Sequence, residues 1–545
     1  MLRRALPALV LAASVALIAT ACTPTGGESG PSAEPQEGGT LVYATGDAEP
    51  DCLDPHVGGN YPQALLSSQY LEPLVGRDAS GAATPWLAEE WTVSEDGLTW
   101  DFTLKSGVEF TDGTPLDAEA VKINVEHLQN PDTMSSTGYL AVAKVAEVEV
   151  VDATHARFHL TEPDSALLES LSMPWTAIES PAGIGRGMEA NCAAPIGTGP
   201  FIVDEWVPQQ HVTLVRNNDY ATPSAQFENS GAAHLDELVW RFIPDAATRQ
   251  AALASGEVNV IDNPLPSDIV AAEAGDEITH IDAPRPGSVN RIELNAGQAP
   301  FDDIAVREAF IRAADPDPGI EALYLGTAKR SYSPLGSSEP MAVSDEALFA
   351  TDADAAAALL DEAGWTEKGV DGVRMKDGKR LTVRFPVSTN QSVAAEQSLF
   401  EQIQANEAAV GFDVQLSPVD LGTWYGMLGA NEYEAVSAPY TRVGAEVLRV
   451  LYHSDAITPA PSGYFANHAQ LADPELDALL DEASATQDDD ARADLYAQAQ
   501  HRVLESFTIL PLYDQQNHFL TRGVTGVSTL STVATPTFVD ARIAG

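Results

Sequence analysis

The chain is short of basic residues and of cysteine, and both shortages bear on function. It has 29 lysines and arginines against 80 aspartates and glutamates, a formal net charge of −51 over 545 residues. Such a surface repels phosphate backbones, so nucleic acid is not an expected partner. The same acidity favours cationic ligands, or it reflects solubility or adaptation to salt. Among the 3 cysteines, none stands at a spacing typical of metal ligands.

Sequence signals for catalysis and for repeated membrane spans are also absent. The chain contains no G-x-S-x-G and no H-E-x-x-H motif. Pairs of acidic residues arise by chance among so many, so they do not indicate a hydrolase. His155 and His159 share one face of a predicted strand, either as a metal pair or as two exposed polar positions. The glycine-rich loop at Gly197 and Gly199 enters a strand and lacks the lysine of a phosphate-binding loop, which favours close backbone packing or a hinge.

One long apolar run lies at the N-terminus and predicts a signal peptide over residues 1–21. Arg3 and Arg4 precede an apolar stretch that is short for a membrane span. Ala19-Thr20-Ala21-Cys22 resembles a lipobox, which predicts lipidation of Cys22; the alternative is ordinary cleavage that leaves Cys22 free. Residues 22–37 are rich in Gly, Pro, Ser and Glu, which predicts a flexible leash.

Cys52 and Cys192 remain after Cys22 is assigned to lipid. Outside the cytoplasm two such cysteines usually pair, which predicts a Cys52–Cys192 disulfide. Two buried free thiols are the alternative.

The body of the chain alternates strand and helix patterns without long linkers, which predicts a mixed α/β fold. Its most informative stretch is 85–121, PWLAEEWTVSEDGLTWDFTLKSGVEFTDGTPLDAEAV. Trp100, Phe102 and Leu104 alternate with polar residues, as in a half-buried strand. Asp117 is the expected N-cap of the helix that follows. Asp303, Asp352 and Asp473 are expected to cap later helices.

These segments resemble, in order, the extracytoplasmic solute-binding proteins of ABC importers, in the family of the oligopeptide-, dipeptide- and nickel-binding proteins. The stretch 85–121 is similar to the family signature, with its Ser-x-Asp-Gly turn, Trp-x-Phe and Phe-x-Asp-Gly-x-Pro turn. PIGTGPF with RNNDY, ASGEVNVID, LNAGQAPFDDIAVREAF and a late LPLY follow in family order. The similarity extends from Gly38 to the C-terminus.

The resemblance implies a two-lobed α/β fold of the periplasmic-binding-protein type II class, with an extra subdomain in the first lobe. It divides the chain into lobe I (38–76, 195–286 and 508–545), the extra subdomain (77–194) and lobe II (287–507).

The resemblance also implies a function without chemistry and without a cofactor. The two lobes close on a peptide or peptide-like solute, and the closed form delivers it to a membrane permease driven by a partner ATPase. The expected protein is a monomer outside the cytoplasm, in contact with the membrane through the N-terminal lipid alone. Alternatives are a binding protein for an anionic metabolite or chelated nickel, and a ligand sensor of the same fold.

Ligand contacts are expected from lobe II around Tyr440. Peptide-binding relatives carry a carboxylate shortly after this aromatic residue, to pair with the peptide ammonium. Here Val443 falls near that position beside Arg442. Glu446 is the nearest carboxylate and is the candidate to replace the missing acid if the loop is shifted. Arg442 in the cleft indicates an anionic group on the solute, and an exposed Arg442 at the rim is the alternative. For a chelated metal, His453 is the candidate. Further aromatic candidates for the cleft are Tyr43, Tyr61, Trp424 and Tyr425.

Overall fold

The computed structural model describes residues 36–389 and 391–544. Its largest sheet has seven strands and forms the centre of lobe I. The strand Thr40–Thr45 lies inside it, parallel to both neighbours, and the outer strands pair antiparallel. In spatial order the strands are Thr279–Pro284, Gln516–Thr521, Val260–Asp262, Thr40–Thr45, Glu237–Phe242, His211–Arg216 and Phe201–Val207. The helices of this lobe are Tyr61–Ser67, Ala246–Ser255 and Pro266–Glu273.

A separate four-stranded antiparallel sheet, with its own core, contains the stretch that carries the family signature. Trp100, Phe102 and Leu104 are each no more than 4% exposed, which confirms the predicted alternation. Asp117 accepts a hydrogen bond from the backbone N–H of Ala120 at 2.9 Å, as expected of an N-cap. The strands, in spatial order, are Ala88–Val93, Thr99–Leu104, His155–Leu160 and Val145–Asp152.

Short helices surround this second sheet and connect it to lobe I. A two-stranded ribbon, Val75–Arg77 with Ala83–Pro85, precedes it. The helices, including two single 3₁₀ turns, are Ala118–Gln129, Pro131–Thr133, Thr137–Val142, Leu167–Ser170, Pro174–Thr176, Pro181–Ile184 and Met188–Ala193.

Lobe II packs helices around two small sheets. One is the antiparallel sheet Ala435–Ser437, Asn290–Leu294 and Ile509–Tyr513, and the other is the parallel pair Thr382–Ser388 and Asp413–Val419. Asp303, Asp352 and Asp473 each cap a helix, as predicted. The main helices are Ile304–Ala314, Asp317–Tyr324, Ala353–Glu362, Ala394–Val410, Leu421–Gly429, Val447–Tyr452, Pro474–Ala485 and Asp489–Glu505.

Small ribbons and 3₁₀ turns complete the described chain. In lobe II these are the ribbon Glu367–Lys368, Arg374–Lys376 and Lys379–Arg380 and the turns Glu346–Phe349 and Ser454–Ile457. The C-terminal tail adds two ribbons, Val524–Thr525 with Arg542–Ile543 and Ser528–Leu530 with Thr535–Thr537.

Two of the expected segment boundaries need correction. The strand Ile509–Tyr513, assigned above to lobe I, pairs with Asn290–Leu294 in lobe II, so the chain crosses back only after Tyr513. Gln36 and Glu37, assigned to the leash, are attached to the body: the Gln36 N–H donates to the Ile543 carbonyl at 3.0 Å. The expected signal peptide, Cys22 and the rest of the leash lie outside the described residues. Within those residues, no helix is both long and apolar enough to cross a membrane.

The structure contains the expected disulfide, which joins Cys52 and Cys192 across a sequence separation of 140 residues.

Close backbone packing, one of the two interpretations of the glycine-rich loop, is also confirmed. A Cβ atom at Gly197 or Gly199 would overlap the backbone of Tyr70.

Replacing both disulfide cysteines by serine should lower the free energy of unfolding by about 2–5 kcal/mol, because the cross-link constrains a long loop of the unfolded chain. Denaturant titration of the mature protein measures the change. The Cys22→Ser variant, which leaves the disulfide intact, is the control and should match the parent. An unchanged denaturation midpoint in the double variant would contradict this expectation.

Candidate functional site

A cavity of about 610 Å³ lies between the two lobes. This volume is within the range of small-molecule binding clefts. Lobe I and its subdomain contribute Asn60, Tyr61, Ser136, Thr137 and Trp175 to the wall. Lobe II contributes Trp424, Tyr425, Tyr440, Tyr464 and His468.

Direct contacts between the lobes hold them in a closed arrangement around this cavity. Most of these contacts are polar, although Val443 of lobe II also packs into an apolar cluster with Ala64, Met173 and Trp175. The polar pairs, donor first, are Ser136–Ser462 at 2.8 Å, Lys144–Ser484 at 2.6 Å, Arg442–Ser170 at 2.8 Å and Arg77–Glu339 at 3.3 Å.

Arg285 places a guanidinium in the cavity wall where the chain first crosses from lobe I to lobe II. Its Nη2 and Nε donate to the Thr441 hydroxyl at 2.6 and 3.2 Å. Its Cζ lies 3.6 Å from the centroid of the Tyr61 ring, a cation–π contact. Within residues 36–389 and 391–544, no carboxylate oxygen lies within 4.0 Å of this cation. Its direct contacts there are therefore with neutral groups. Burial raises the pKa of nearby Asp47 to about 7, and the charge of Arg285 partly offsets this rise.

Tyr61 is fixed as a neutral platform beneath Arg285. Its hydroxyl donates to the Val533 carbonyl at 2.6 Å and accepts from the Asn517 amide at 2.5 Å. Burial raises the pKa of Tyr61 to about 12, so the ring stays uncharged at neutral pH.

The lobe II wall is a group of aromatic rings in edge-to-face contact. Trp424 and Tyr425 stand on the helix Leu421–Gly429, with ring centroids 5.0 Å apart. The Tyr425 ring contacts Tyr464 at 6.1 Å, and Tyr464 contacts His468 at 5.8 Å. Such a wall offers broad apolar contact with little loss of side-chain entropy on binding.

His468 and Trp424 line the cavity and carry buried nitrogen atoms without hydrogen-bond partners; His468 Nδ1 lies 3.8 Å from a carboxylate oxygen of Glu293. Neither ring nitrogen of His468 nor the indole N–H of Trp424 has a hydrogen-bond partner in the described structure. Burial, with a smaller contribution from nearby Arg291, lowers the pKa of His468 to about 3. The imidazole is therefore neutral at physiological pH and can accept a hydrogen bond or bind a metal.

The described cavity wall contains one acidic side chain and one guanidinium. Asp51, which is exposed at the rim, is the one carboxylate among the described residues that line the cavity, and Arg285 is the one guanidinium. Val443, near the position where peptide-binding relatives were expected to carry an acid, is fully buried against lobe I. The described wall therefore contains no buried carboxylate that could pair with an ammonium group of a solute.

Four of the residues expected at the site line the cavity: Tyr61, Trp424, Tyr425 and Tyr440. Tyr43 does not, because it belongs to the innermost strand of the lobe I sheet and is fully buried. Its hydroxyl donates to Asp262 at 2.8 Å and its ring packs on Trp240 at 4.1 Å.

Arg442 and Glu446 also lie outside this cavity. They line a second one of about 490 Å³, which shares the walls Tyr464 and Phe465 with the first. Arg442 is 2% exposed, so it is not a solvated rim residue, and its Nη2 donates to Ser170 across the lobes. Its Nε and Nη1 have no hydrogen-bond partner in the described structure. Glu446 accepts hydrogen bonds from Tyr496 at 2.7 Å and from Ser484 at 3.1 Å.

The histidines considered for metal binding have other partners. His453 accepts from the backbone N–H of Asp455 at 3.0 Å and lies 3.3 Å from Asp481, away from the cavity. His155 and His159 are exposed and pair with Asp152 and Glu149, as the alternative of two polar positions predicts.

Among the cavity residues that sequence reasoning did not single out, Arg285 and His468 are the two with the most distinctive chemistry. Arg285 stands in Pro-Arg-Pro-Gly at the predicted boundary between lobe I and lobe II, so the boundary itself was the available signal. His468 lies in an irregular segment and carries no local pattern that distinguishes it from a core histidine.

Two lobes, an extra subdomain and a closed cavity between the lobes define an extracytoplasmic solute-binding protein. The family model for bacterial extracellular solute-binding proteins, family 5, matches residues 82–459, and the chain belongs to this family. The expected family and two-lobed α/β fold are thereby confirmed.

Named relatives show how widely this family varies in ligand. The nickel-binding periplasmic protein of Escherichia coli K12 is 30% identical over 473 residues, which cover 84% of this chain and 86% of the relative. The glutathione-binding protein GsiB of Salmonella paratyphi A is 29% identical over 469 residues, with the same coverage. The solved structure of DppA from Helicobacter pylori in complex with the peptide STSA superposes with a TM-score of 0.81 at 22% identity and covers 94% of this chain and 99% of that one.

The His468→Gln variant should lose a pH-dependent part of its stability. Between pH 6.5, the ordinary pKa, and about 3, the unfolded chain binds a proton that the folded chain does not. Stability therefore falls as the pH falls through this window, by up to about 1.4 kcal/mol per pH unit. Denaturant titration from pH 7 to pH 4 should give a shallower slope for His468→Gln than for the parent.

His155→Gln, at an exposed position, is the control and should keep the parental slope. Equal slopes for His468→Gln and the parent would show that His468 is not held neutral by burial.

Proposed function

We propose that this protein is the solute-binding component of an ABC importer and that its cleft takes a small, carboxylate-bearing, peptide-like solute. The choice of solute rests on the surroundings of Arg285. In a chain with 80 acidic residues, a cation in the cavity wall contacts a hydroxyl and an aromatic ring instead of a carboxylate.

Arg285 is suited to receive a carboxylate from the solute. A guanidinium binds a carboxylate through two parallel hydrogen bonds, which fixes the orientation of the solute as well as adding affinity. Thr441 and the Tyr61 ring hold the guanidinium before the solute arrives, so little side-chain entropy is lost on binding.

The size and walls of the cavity favour a short peptide or a similar molecule. The aromatic rings of lobe II provide apolar contact without demanding a particular side chain. Asp51 at the rim and Arg285 in the wall give the cavity one charge of each sign, a combination that suits a zwitterion. The glutathione-binding relative fits this class of solute by its name.

A second candidate is a metal ion held by a small carboxylate chelator. The specific observation in its favour is His468, whose ring is neutral and lines the cavity without a hydrogen-bond partner. An imidazole nitrogen is a common ligand of nickel and other transition metals. The nickel-binding relative, 30% identical, makes this candidate worth a direct test.

In the proposed mechanism the solute is bound by lobe closure and undergoes no reaction. The solute favours the closed state only through contacts that it makes with both lobes together. The closed form then docks on a permease whose ATPase drives import. We further propose that Cys22 is lipidated and that the following leash tethers a monomeric body at the outer face of the membrane.

Native mass spectrometry of protein purified without dialysis tests the solute class directly. A co-purified mass that matches a short peptide or related amino acid derivative supports the main proposal, and a mass with a metal isotope pattern supports the second. Import lost on deletion of the chain supports transport; import retained with loss of a transcriptional response supports the sensor. Turnover of the bound solute would contradict a purely binding role.

Arg285→Gln should weaken binding of a carboxylate-bearing solute by about 10- to 100-fold, which corresponds to the loss of one charged hydrogen-bonded contact. Calorimetric titration with di- and tripeptides and with their C-terminal amides measures the change. The parent should prefer the free carboxylate, and Arg285→Gln should not distinguish the two.

Thr441→Val is the matched control, because it removes a partner of Arg285 and leaves the charge in place. It should weaken binding less than Arg285→Gln does. Equal affinity of the parent for acid and amide would contradict the assigned role of Arg285.

The Gly444→Ala variant should bind more weakly although Gly444 contacts no solute. A Cβ at this position would overlap the carboxyl group of Glu169 across the closed lobes. The Glu169 side chain is partly exposed, so relief of the overlap requires its carboxyl group to turn away from Gly444 or the lobes to separate. Because either change disturbs the contact across the closed lobes, we expect affinity to fall by a few-fold to about tenfold.

Gly378→Ala is the matched control. Gly444 and Gly378 both have a positive φ, +83° and +74°, but a Cβ at Gly378 meets nothing within 4 Å. Both variants therefore carry similar backbone strain, and only Gly444→Ala opposes closure. Equal affinities for the two variants would overturn the closure argument.

A further inference from the structure

A cluster of two histidines and an aspartate, with the side chains typical of metal ligands, lies outside the solute cavity, on the strands that connect the lobes. It consists of His280 and Asp282 on the strand Thr279–Pro284 and His518 on the strand Gln516–Thr521. We name these three residues the hinge cluster. Asp282 pairs directly with His518 in the antiparallel register, and His280 is two residues from Asp282, so all three share one face of the sheet.

The hydrogen bonds on the outer sides of the two rings determine which nitrogens are free. His518 Nε2 lies 3.1 Å from the Thr327 carbonyl oxygen, which can only accept, so Nε2 carries the proton. His280 Nδ1 lies 2.9 Å from a carboxylate oxygen of Glu273, which fixes its proton in the same way. In the neutral rings, His280 Nε2 and His518 Nδ1 are therefore both lone-pair acceptors.

These two acceptors face each other, although neither can donate to the other. His280 Nε2 and His518 Nδ1 are 3.0 Å apart, and Asp282 Oδ1 is 3.5 Å from His518 Nδ1. All three ligand atoms lie within 4.8 Å of one another. Three lone-pair donors thus lie close together, and a metal ion or a shared proton between them would relieve their repulsion. Asp282 Oδ1 also accepts a hydrogen bond from the Gln516 side-chain amide.

The spacing fits a metal ion. Two ligand atoms at tetrahedral positions, each ~2.0–2.1 Å from zinc, are separated by about 3.3 Å, between the two observed distances. The outer bonds to Glu273 and Thr327 are the carboxylate and carbonyl contacts that usually orient metal-bound histidines. The exposed side of Asp282, about half accessible, leaves a path for the ion and room for water as a further ligand.

We propose that the hinge cluster binds one divalent transition-metal ion of the zinc and nickel type, through His280 Nε2, His518 Nδ1 and the Asp282 carboxylate. The site is separate from the solute cavity, since none of the three residues lines it. The Thr327 carbonyl belongs to lobe II, so the ion also orders a ring that bonds across the hinge.

The test is titration of chelator-treated protein with Zn²⁺ or Ni²⁺ alone, in competition with a chromophoric chelator. We expect one equivalent to bind and expect His280→Gln, His518→Gln and Asp282→Asn each to weaken binding by at least tenfold. Glu273→Ala should weaken it by about 10- to 100-fold by freeing the His280 ring. His155→Gln, which alters an exposed histidine beside Asp152, is the matched control and should change nothing.

Three results would overturn the proposal. One is parental affinity in both His280→Gln and Asp282→Asn, the latter at an exposed position that leaves folding intact. Another is loss of the metal in His468→Gln with retention in His280→Gln, which would place the ion in the solute cavity. The third is no metal binding together with a shared-proton signal between the rings by NMR, which would make the cluster a proton-binding pair.

Discussion

The pairing of two strands from distant parts of the sequence is the constraint on which the rest of the structure depends. Thr279–Pro284 leads out of lobe I and Gln516–Thr521 returns to it, and the two pair antiparallel along their full length. At the crossing, the backbone N–H of Arg285 donates to the Gln515 carbonyl at 3.0 Å. The Gln515 side-chain amide in turn donates to backbone carbonyls of lobe II, those of Ser288 and Tyr440. Hydrogen bonds between the two strands oppose sliding of one lobe along the other but allow a hinge rotation. They also fix the backbone position of Arg285.

The contacts that close the lobes are mostly of a kind that contributes little stability by itself. When the lobes open, hydroxyl pairs such as Ser136 with Ser462 lose their mutual hydrogen bond and form hydrogen bonds with water instead. Each pair therefore stabilises the closed state by only about 1 kcal/mol. The ion pair of Arg77 and Glu339 is more enclosed, and its attraction is offset by desolvation. Because these polar contacts add little net stability, a solute that contacts both lobes can shift the equilibrium toward the closed state. The closed conformation can therefore report to another protein that the solute is bound.

The sequence was informative wherever a structure is decided locally. Asp117, Asp303, Asp352 and Asp473 could be assigned as helix caps because a cap depends on the few residues beside it. The alternation of Trp100, Phe102 and Leu104 is local in the same sense.

The site was less predictable because cavity walls depend on which distant segments meet. Tyr43 and Tyr61 are both tyrosines near predicted elements, yet one lies inside a sheet with parallel neighbours and the other on a helix that faces lobe II. Arg442 was predicted from its neighbours in sequence to bind an anion in the cleft. It lines the second cavity instead, where its Nη2 donates to Ser170 of the opposite lobe and its Nε and Nη1 have no partner in the described structure. The histidines of the hinge cluster, 238 residues apart, become neighbours only through strand pairing.

The distribution of charge finally bears on which solute can use Arg285. A net charge of −51 opposes the approach of a multiply charged anion, although salt screens this effect beyond about 8 Å at physiological ionic strength. A zwitterion without net charge meets no such barrier and still presents a carboxylate once it is inside, where water no longer screens the cation. Asp51 at the rim adds a carboxylate to the same cavity, which an ammonium group of such a solute can use. A small, overall neutral, carboxylate-bearing solute is thus not repelled by the negative surface and can still pair with Arg285. A highly charged anion can pair with Arg285, but the negative surface repels it.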